Sequence, residues 1–208
     1  MRTDQLIDRL AADGGSPGKP RLHVAWALAA GWALALAGLA IFLGSPRISE
    51  TGIAPFAVKF GYTVALTGLS VTAALAAGQP GRNPAMAIAA ILIPVVVVSI
   101  VSVLELMSTD RSGWSRLLFG TTYFHCVVAV WLASLPPFAA ILWAYRAFAP
   151  TQLRLSGFLV GLSAGSAGAV AFTLYCHETS AAFLLAAYTP ALLIPATLGV
   201  AFSRALRW

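Results

Sequence analysis

Six apolar segments, each close to the length of a membrane-spanning helix, constrain this chain more than any other feature. They run near residues 23–43, 56–78, 85–107, 119–144, 156–176 and 181–203. A helix needs about 20 apolar residues to cross about 30 Å of hydrocarbon, and it satisfies its own backbone hydrogen bonds where there is no water. The composition agrees, since 59% of the residues are hydrophobic and 10% are charged. The sequence therefore predicts an all-α polytopic membrane protein with six transmembrane helices.

A polar N-terminal segment, residues 1–22, precedes the six-helix domain, residues 23–208, and we expect it to form a separate cytoplasmic domain. Its first residues predict a short amphipathic helix with an N-cap, an acidic first turn and one apolar stripe. About ten residues are too few for a stable helix in water, so this helix needs a partner protein or the bilayer interface to fold against. Its candidate partner-binding residues are Thr3, Asp4, Leu6, Ile7 and Leu10.

The distribution of basic residues predicts the orientation in the membrane. If both termini are cytoplasmic, nine of the Lys and Arg side chains lie inside and four lie outside, which fits the excess of positive charge found in cytoplasmic loops. The inner set is Arg2, Arg9, Lys19, Arg21, Arg82, Arg146, Arg154, Arg204 and Arg207. The outer set is Arg47, Lys59, Arg111 and Arg116. This topology accounts for the net charge of +6 without direct binding of nucleic acid.

Two cysteines and their neighbours form the main chemical signal. Cys126 follows His125, and Cys176 precedes His177 and Glu178. The predicted topology places all five at the outer ends of the fourth and fifth helices, in a compartment where disulfides form if the Cα atoms come within about 7 Å. Three interpretations stay open: two buried small side chains, a redox- or metal-responsive pair, or a structural disulfide.

The sequence does not predict a permanent metal site or a cofactor. The spacing of the cysteines and histidines is not that of a zinc finger, and adjacent residues on a helix point about 100° apart. Transient capture of a thiophilic ion by Cys126 and Cys176 is easier to accept. Two further charged residues, Lys59 and Glu105, lie near helix ends, and we expect their side chains to extend to the outer interface.

One catalytic pattern is present but does not predict catalysis. Gly161-Leu162-Ser163-Ala164-Gly165 matches the G-x-S-x-G pattern of serine hydrolases, which requires a strand, a sharp turn and a helix. Here the pattern lies inside an apolar helix. Gly157, Gly161 and Gly165 recur every fourth residue, which is typical of close helix packing. We therefore expect a packing surface, and a protein that is not an enzyme.

Several short motifs in a fixed order resemble a known bacterial family. These motifs are Met1, Thr3-Asp4, Leu6-Ile7, Leu10-Ala11, Cys176-His177-Glu178-x-Ser180 before the last helix, and the closing Leu206-Arg207-Trp208. With six helices between the ends, the chain resembles the NrsF-like negative regulators of sigma F, which are membrane-bound anti-sigma factors. The resemblance covers nearly the whole chain.

The resemblance implies a function and a site. It implies a multi-pass protein of the bacterial inner (plasma) membrane that sequesters an extracytoplasmic-function sigma factor of the sigma-F type on the cytoplasmic side. It also implies release under heavy-metal or oxidative stress, with two periplasmic cysteines tied to that response, which fall on Cys126 and Cys176. His125, His177 and Glu178 are secondary candidates for sensing. The alternative is a small transporter or permease with a structural cysteine pair, which would be indifferent to loss of residues 1–22.

Overall fold

The computed structural model describes residues 20–46, 52–79, 81–148, 150 and 152–206. These residues form helices and turns, with no strand among them. The predicted amphipathic helix near the N-terminus lies outside the described residues. The division of the chain at residue 22 therefore stays a prediction.

Six helices in the described part of the chain are long and apolar enough to cross a membrane, which agrees with the six helices expected from the sequence. They are α1, Pro20–Leu43; α2, Ile53–Ala77; α3, Ala85–Met107; α4, Tyr123–Ala144; α5, Leu153–Thr173; and α6, Ala181–Arg204. A short helix, Trp114–Phe119, precedes α4. Odd and even helices run in opposite directions. One side of the bundle therefore holds the ends of α1, α3 and α5 together with the starts of α2, α4 and α6. We call this side the thiol end.

Among the helix boundaries that differ from the sequence prediction, two affect where the cysteines lie. The fourth helix begins at Tyr123 rather than 119, because Gly120 adopts a φ of 50° that ends the short helix before it. The fifth helix ends at Thr173 rather than 176. Cys176 therefore lies in an irregular segment between α5 and α6, residues 174–180, which we call the hinge segment.

α5 is the central helix of the bundle. It is almost entirely buried, and it packs against α6, α4, α2 and α1. Small residues permit this close packing: a Cβ atom added at Gly157 would lie 2.2 Å from the carbonyl oxygen of Gly199, and one at Gly161 would lie 2.0 Å from that of Pro195. The predicted packing role of these glycines is confirmed. Ser163 is buried and donates its hydroxyl to the carbonyl of Leu159, so it is not placed as a nucleophile.

The outer surface of the bundle is apolar. α3 exposes large hydrophobic side chains along its length, among them Leu92, Ile93, Val96, Val97 and Ile100. Soluble proteins rarely expose contiguous apolar patches of this extent, whereas lipid chains solvate them well. The exposed surface thus agrees with a membrane protein.

α6 contains a π-helical segment, Leu184–Tyr188, near its start. Pro190 follows, and it has no N–H group to donate to the carbonyl of Ala186 four residues earlier. The hydroxyl of Tyr123 on α4 donates to this carbonyl at 3.2 Å. The irregular turn is therefore stabilised by a neighbouring helix, as unpaired backbone groups inside a membrane require.

Candidate functional site

The two cysteines come together at the thiol end. Cys126 lies in the first turn of α4 and Cys176 in the hinge segment, and each is 4% exposed. Their Sγ atoms are 3.9 Å apart, in contact but not bonded, and both thiols are free. A disulfide requires about 2.05 Å between the sulfurs, so a modest rearrangement joins them. The sequence left open whether the two cysteines touch. In the structure they are close enough to react with each other.

The two histidines flank the thiols without covering them. His125 and His177 are both exposed, and they line a groove of about 980 Å³ together with Cys126 and Cys176. The remaining walls come mainly from α1 and α4, and they include Leu34, Leu39, Phe42, Phe124 and Leu132. The groove therefore reaches the two cysteines, whose side chains are otherwise buried.

Glu178 connects the hinge segment to the start of α4. Its Oε1 atom accepts a hydrogen bond from the Thr121 N–H at 3.3 Å and from the Thr122 hydroxyl at 3.1 Å. The Thr122 hydroxyl oxygen in turn lies 3.6 Å from the Cys126 sulfur. Glu178 is therefore linked to Cys126 through one side chain, which gives it a structural position beside the thiol pair.

Metal-binding groups are sparse around the pair. Within the described residues, no group of three His, Cys, Asp or Glu side chains is placed to hold a metal ion. Two soft thiol ligands remain adjacent, and thiolates favour thiophilic ions. Transient capture of such an ion at Cys126 and Cys176 stays a prediction.

Lys59 is placed differently from the sequence expectation. It is 2% exposed, and it is the one charged side chain that is fully buried among the described residues. Its Nζ donates to the carbonyl oxygen of Cys176 at 2.8 Å and to that of Glu178. The expectation that Lys59 extends to the outer interface was wrong, because the irregular hinge segment offers carbonyl groups that have no helical partner.

Glu105 at the end of α3 also turns inward. Its Oε2 atom accepts from the Ala181 N–H at 2.8 Å, the Ala182 N–H at 3.1 Å and the Ser180 hydroxyl at 3.0 Å. These amides begin α6 and have no acceptor within the helix, and a carboxylate is favoured at a helix N-terminus. Glu105 therefore caps α6, and the expectation that it extends to the interface was wrong.

The hinge segment also sets the acidity of its thiol. The pKa of Cys176 is lowered below its usual value, although burial alone would raise it. The largest cause is the hydrogen bond with Cys126, and smaller contributions come from the positive charge of Lys59 and from a hydrogen bond with the Glu178 backbone. Cys176 is therefore the more readily ionised member of a buried pair. Thiolates are the nucleophilic and metal-binding form of cysteine.

Sequence reasoning found the cysteines but missed the roles of Lys59 and Glu105. The signal was present, since a charged residue within an apolar segment usually faces the protein interior and has a partner there. What the sequence lacked was the partner, because main-chain carbonyl and amide groups leave no pattern in residue types.

The family described as "Negative regulator of sigma F" (NrsF) matches residues 10–208 of the chain. The chain belongs to the NrsF family. The probable anti-sigma-F factor NrsF of Azospira oryzae is 35% identical, with both chains covered in full. The anti-sigma-F factor NrsF of Caulobacter vibrioides is 34% identical over 100% of this chain and 98% of the relative. No solved structure matches the chain significantly.

Membership of the NrsF family gives the chain its general role. That role is negative regulation of a sigma factor, which is regulatory and not enzymatic. A sigma factor is therefore its partner. Six helices of the described residues have the length and the apolar composition of membrane-spanning helices. The NrsF resemblance predicted from the short motifs is confirmed, because the match extends over nearly the whole sequence.

Proposed function

We propose that this NrsF protein sequesters an extracytoplasmic-function sigma factor at the inner membrane and releases it when heavy-metal or oxidative stress acts on Cys126 and Cys176. Both termini lie in the cytoplasm, and the thiol end faces the periplasm. Family membership supports the regulatory part, and the distribution of basic residues supports the orientation. The observation that carries the sensing part is the 3.9 Å contact between the two sulfurs, whose residues line the groove beside α1 and α4.

The thiol pair is suited to oxidation for two reasons. The more acidic thiol, Cys176, supplies the thiolate, and Cys126 is the adjacent thiol that completes a disulfide. With hydrogen peroxide as the oxidant, Cys176 forms a sulfenic acid and one water leaves. The Cys126 thiol then displaces a second water as the sulfur–sulfur bond forms.

Oxidation has a structural consequence because of where Cys176 lies. The sulfurs must approach from 3.9 Å to about 2.05 Å. Cys126 is fixed within α4, whereas Cys176 is in the hinge segment that joins α5 to α6. We therefore expect the hinge segment to move toward α4 and the packing of α4, α5 and α6 to change.

The cytoplasmic N-terminal segment is the proposed sigma-binding element. Its candidate residues are Thr3, Asp4, Leu6, Ile7 and Leu10. The short helix that they predict needs a surface to fold against, and here that surface is the sigma factor. The change at the thiol end must favour one packing over another by about 1–3 kcal/mol to alter this interaction usefully.

One purification tests the sequestering function. The full chain and a chain lacking residues 1–22 are purified in mild detergent from host membranes, and the cytoplasmic proteins that accompany each are identified by mass spectrometry. We expect a sigma factor with the full chain and none with the truncated chain. A single substitution, Leu6→Asp on the apolar face of the predicted helix, should lose the sigma factor as the truncation does. Asp8→Asn, on the polar face of that predicted helix, is its matched control and should keep the sigma factor. If no sigma factor accompanies the full chain, the proposal is wrong.

A second experiment tests the sensing function. Replacing Cys126 and Cys176 together with serine preserves the size of both side chains but removes the thiols. We expect this double variant to retain its sigma factor and to keep it in the presence of peroxide or a thiophilic metal ion. A double variant that responds as the unaltered chain does would show that the pair is not the sensor.

A further inference from the structure

Lys59 is an unusual residue for an apolar helix, and it lies in the second turn of α2. A lysine in a membrane-spanning segment is costly and usually has a functional partner. Here the side chain is buried and its hydrogen bonds go to the main-chain carbonyls of Cys176 and Glu178. It also interacts electrostatically with both cysteine sulfurs and with Glu178. Lys59 thus joins α2 to the backbone of the residue that carries the more reactive thiol.

The rest of α2 is attached along the same face. Its buried residues recur at helical spacing from Lys59 to Ala77, and they face α5. Midway, the Ser70 hydroxyl lies 3.3 Å from that of Ser166. α2 therefore packs along α5 as one continuous surface rather than touching it at one point.

The far end of α2 has polar contacts of its own. The hydroxyl of Tyr145, which is fully buried after the end of α4, donates to the carbonyl of Ala74 at 2.6 Å. The Ser156 hydroxyl donates to the carbonyl of Ala77 at 3.4 Å. These contacts lie at the end where α1 begins, and therefore at the end to which residues 1–19 are attached. α2 connects the thiol end with this opposite end.

We propose that Lys59 transmits the state of the thiol pair to the opposite end of the molecule through α2. This inference rests on the proposed sensing function. When Cys126 and Cys176 form a disulfide, Cys176 moves toward α4 and its carbonyl moves away from the Lys59 ammonium. A hydrogen bond weakens steeply as its distance and angle depart from the ideal. α2 then loses one of its two hydrogen bonds to the hinge segment, keeps the one to Glu178, and shifts against α5.

Other charged side chains at the thiol end do not occupy this position. Glu105 binds the amides that begin α6, and the Glu178 side chain binds the residues before α4. Among the described side-chain hydrogen bonds, the one to the carbonyl of Cys176 comes from Lys59. Lys59 is therefore the side chain placed to respond directly when the backbone of Cys176 moves.

The test compares variants of the full chain in its host membrane. Lys59→Met removes the charge and the donors at nearly the same length, and Lys59→Arg keeps both. Thr67→Val on α2 is the matched control, because the Thr67 hydroxyl donates only within its own helix, to the carbonyl of Thr63. Two quantities are measured: the amount of sigma factor that purifies with each chain, and the formation of the disulfide after peroxide, followed by thiol alkylation.

We expect Lys59→Met to resemble the oxidised chain before any oxidant is added. Its affinity for the sigma factor should fall by about 5-fold to 150-fold, the usual range for coupling between distant sites. Lys59→Arg and Thr67→Val should retain the sigma factor as the unaltered chain does. Lys59→Met should still form the disulfide, which shows that α4 and α5 remain packed together.

A second measurement needs no substitution. Hydrogen–deuterium exchange of the last turn of α2, residues 74–77, is compared in the reduced and the oxidised unaltered chain, and we expect faster exchange after oxidation. Unchanged exchange there, or a Lys59→Met chain that retains its sigma factor fully, overturns this inference alone. An unaltered chain that keeps its sigma factor after the disulfide has formed overturns the proposed sensing function, and this inference with it.

Discussion

Glu105 provides the sharpest test of how the thiol end is held together. Its carboxylate accepts three hydrogen bonds, from two amides and one hydroxyl, at the start of α6. Replacing it with alanine removes the acceptor from all three donors. Because Glu105 is only half-buried, water can replace part of what is lost.

The expected magnitude follows from these contacts. A hydrogen bond to a charged group contributes about 1.5–3 kcal/mol to stability when it is buried. Because water reaches the half-buried Glu105, its three bonds together contribute less than three times that amount. We therefore expect Glu105→Ala to reduce the free energy of opening the first turn of α6 by about 2–4 kcal/mol. Since about 1.4 kcal/mol corresponds to a factor of ten, the open fraction rises about 30-fold to 700-fold.

Hydrogen–deuterium exchange read by mass spectrometry measures this opening directly. Peptides that contain the amides of Ala181 and Ala182 should exchange faster by the same factor when exchange follows local opening. Glu105→Gln keeps an acceptor oxygen and loses only the charge, so its effect should be about 0.3–1 kcal/mol. Asp110→Ala is the control, because Asp110 is exposed and makes no capping hydrogen bond. Exchange at the rate of the unaltered chain in Glu105→Ala would refute the capping role.

Three further predictions test the packing and the chemistry of the site. Gly161→Ala should lower the thermal unfolding midpoint in detergent markedly, because its Cβ would lie 2.0 Å from a backbone oxygen, and overpacking costs about 1–3 kcal/mol or more. Gly38→Ala, with no atom within 4 Å of the added Cβ, should leave the midpoint unchanged. Tyr145→Phe should destabilise the chain by about 1 kcal/mol in a denaturant titration, because the carbonyl of Ala74 loses one of its two donors and keeps the Gly78 N–H. Because the pKa of Cys176 is lowered, its alkylation rate should reach half-maximum below a pH of about 8.5. Cys126→Ala removes the hydrogen bond that contributes most to this lowering, so it should raise the pH of half-maximum. An unshifted pH profile in both chains would contradict the lowered pKa of Cys176.

The sequence predicted the architecture well because a bilayer restricts the possible structures. Once about 20 consecutive residues are apolar, a helix is the form that satisfies the backbone, and six such segments gave six helices. The close helix packing at Gly157 and Gly161 was also predictable, because a residue without a side chain leaves space that a neighbouring helix fills. Boundaries were less predictable, since the end of α5 at Thr173 and the start of α4 at Tyr123 depend on local turns rather than on hydrophobicity.

The sequence also brought the chemically active residues to one end of the molecule. Alternating helix directions place Cys126 and Cys176 on the same side, and this follows from counting helices. The contact itself did not follow, because α4 and α5 are joined at the opposite end and could diverge at this one. The 3.9 Å separation of the sulfurs depends on the packing of α4 against α5 and on the hinge segment being unwound.

The sequence by itself determined the class of protein, the family and the identity of the reactive side chains. Hydrophobic length, the order of short motifs and the rarity of cysteine are all properties of the linear chain. Only the tertiary structure decided the partners of Lys59 and Glu105, both expected to extend outward. Their partners are unpaired carbonyl and amide groups of the hinge segment and of the start of α6. Every residue carries such groups, so only the folded backbone shows which of them lack a helical partner and can bind a buried charge.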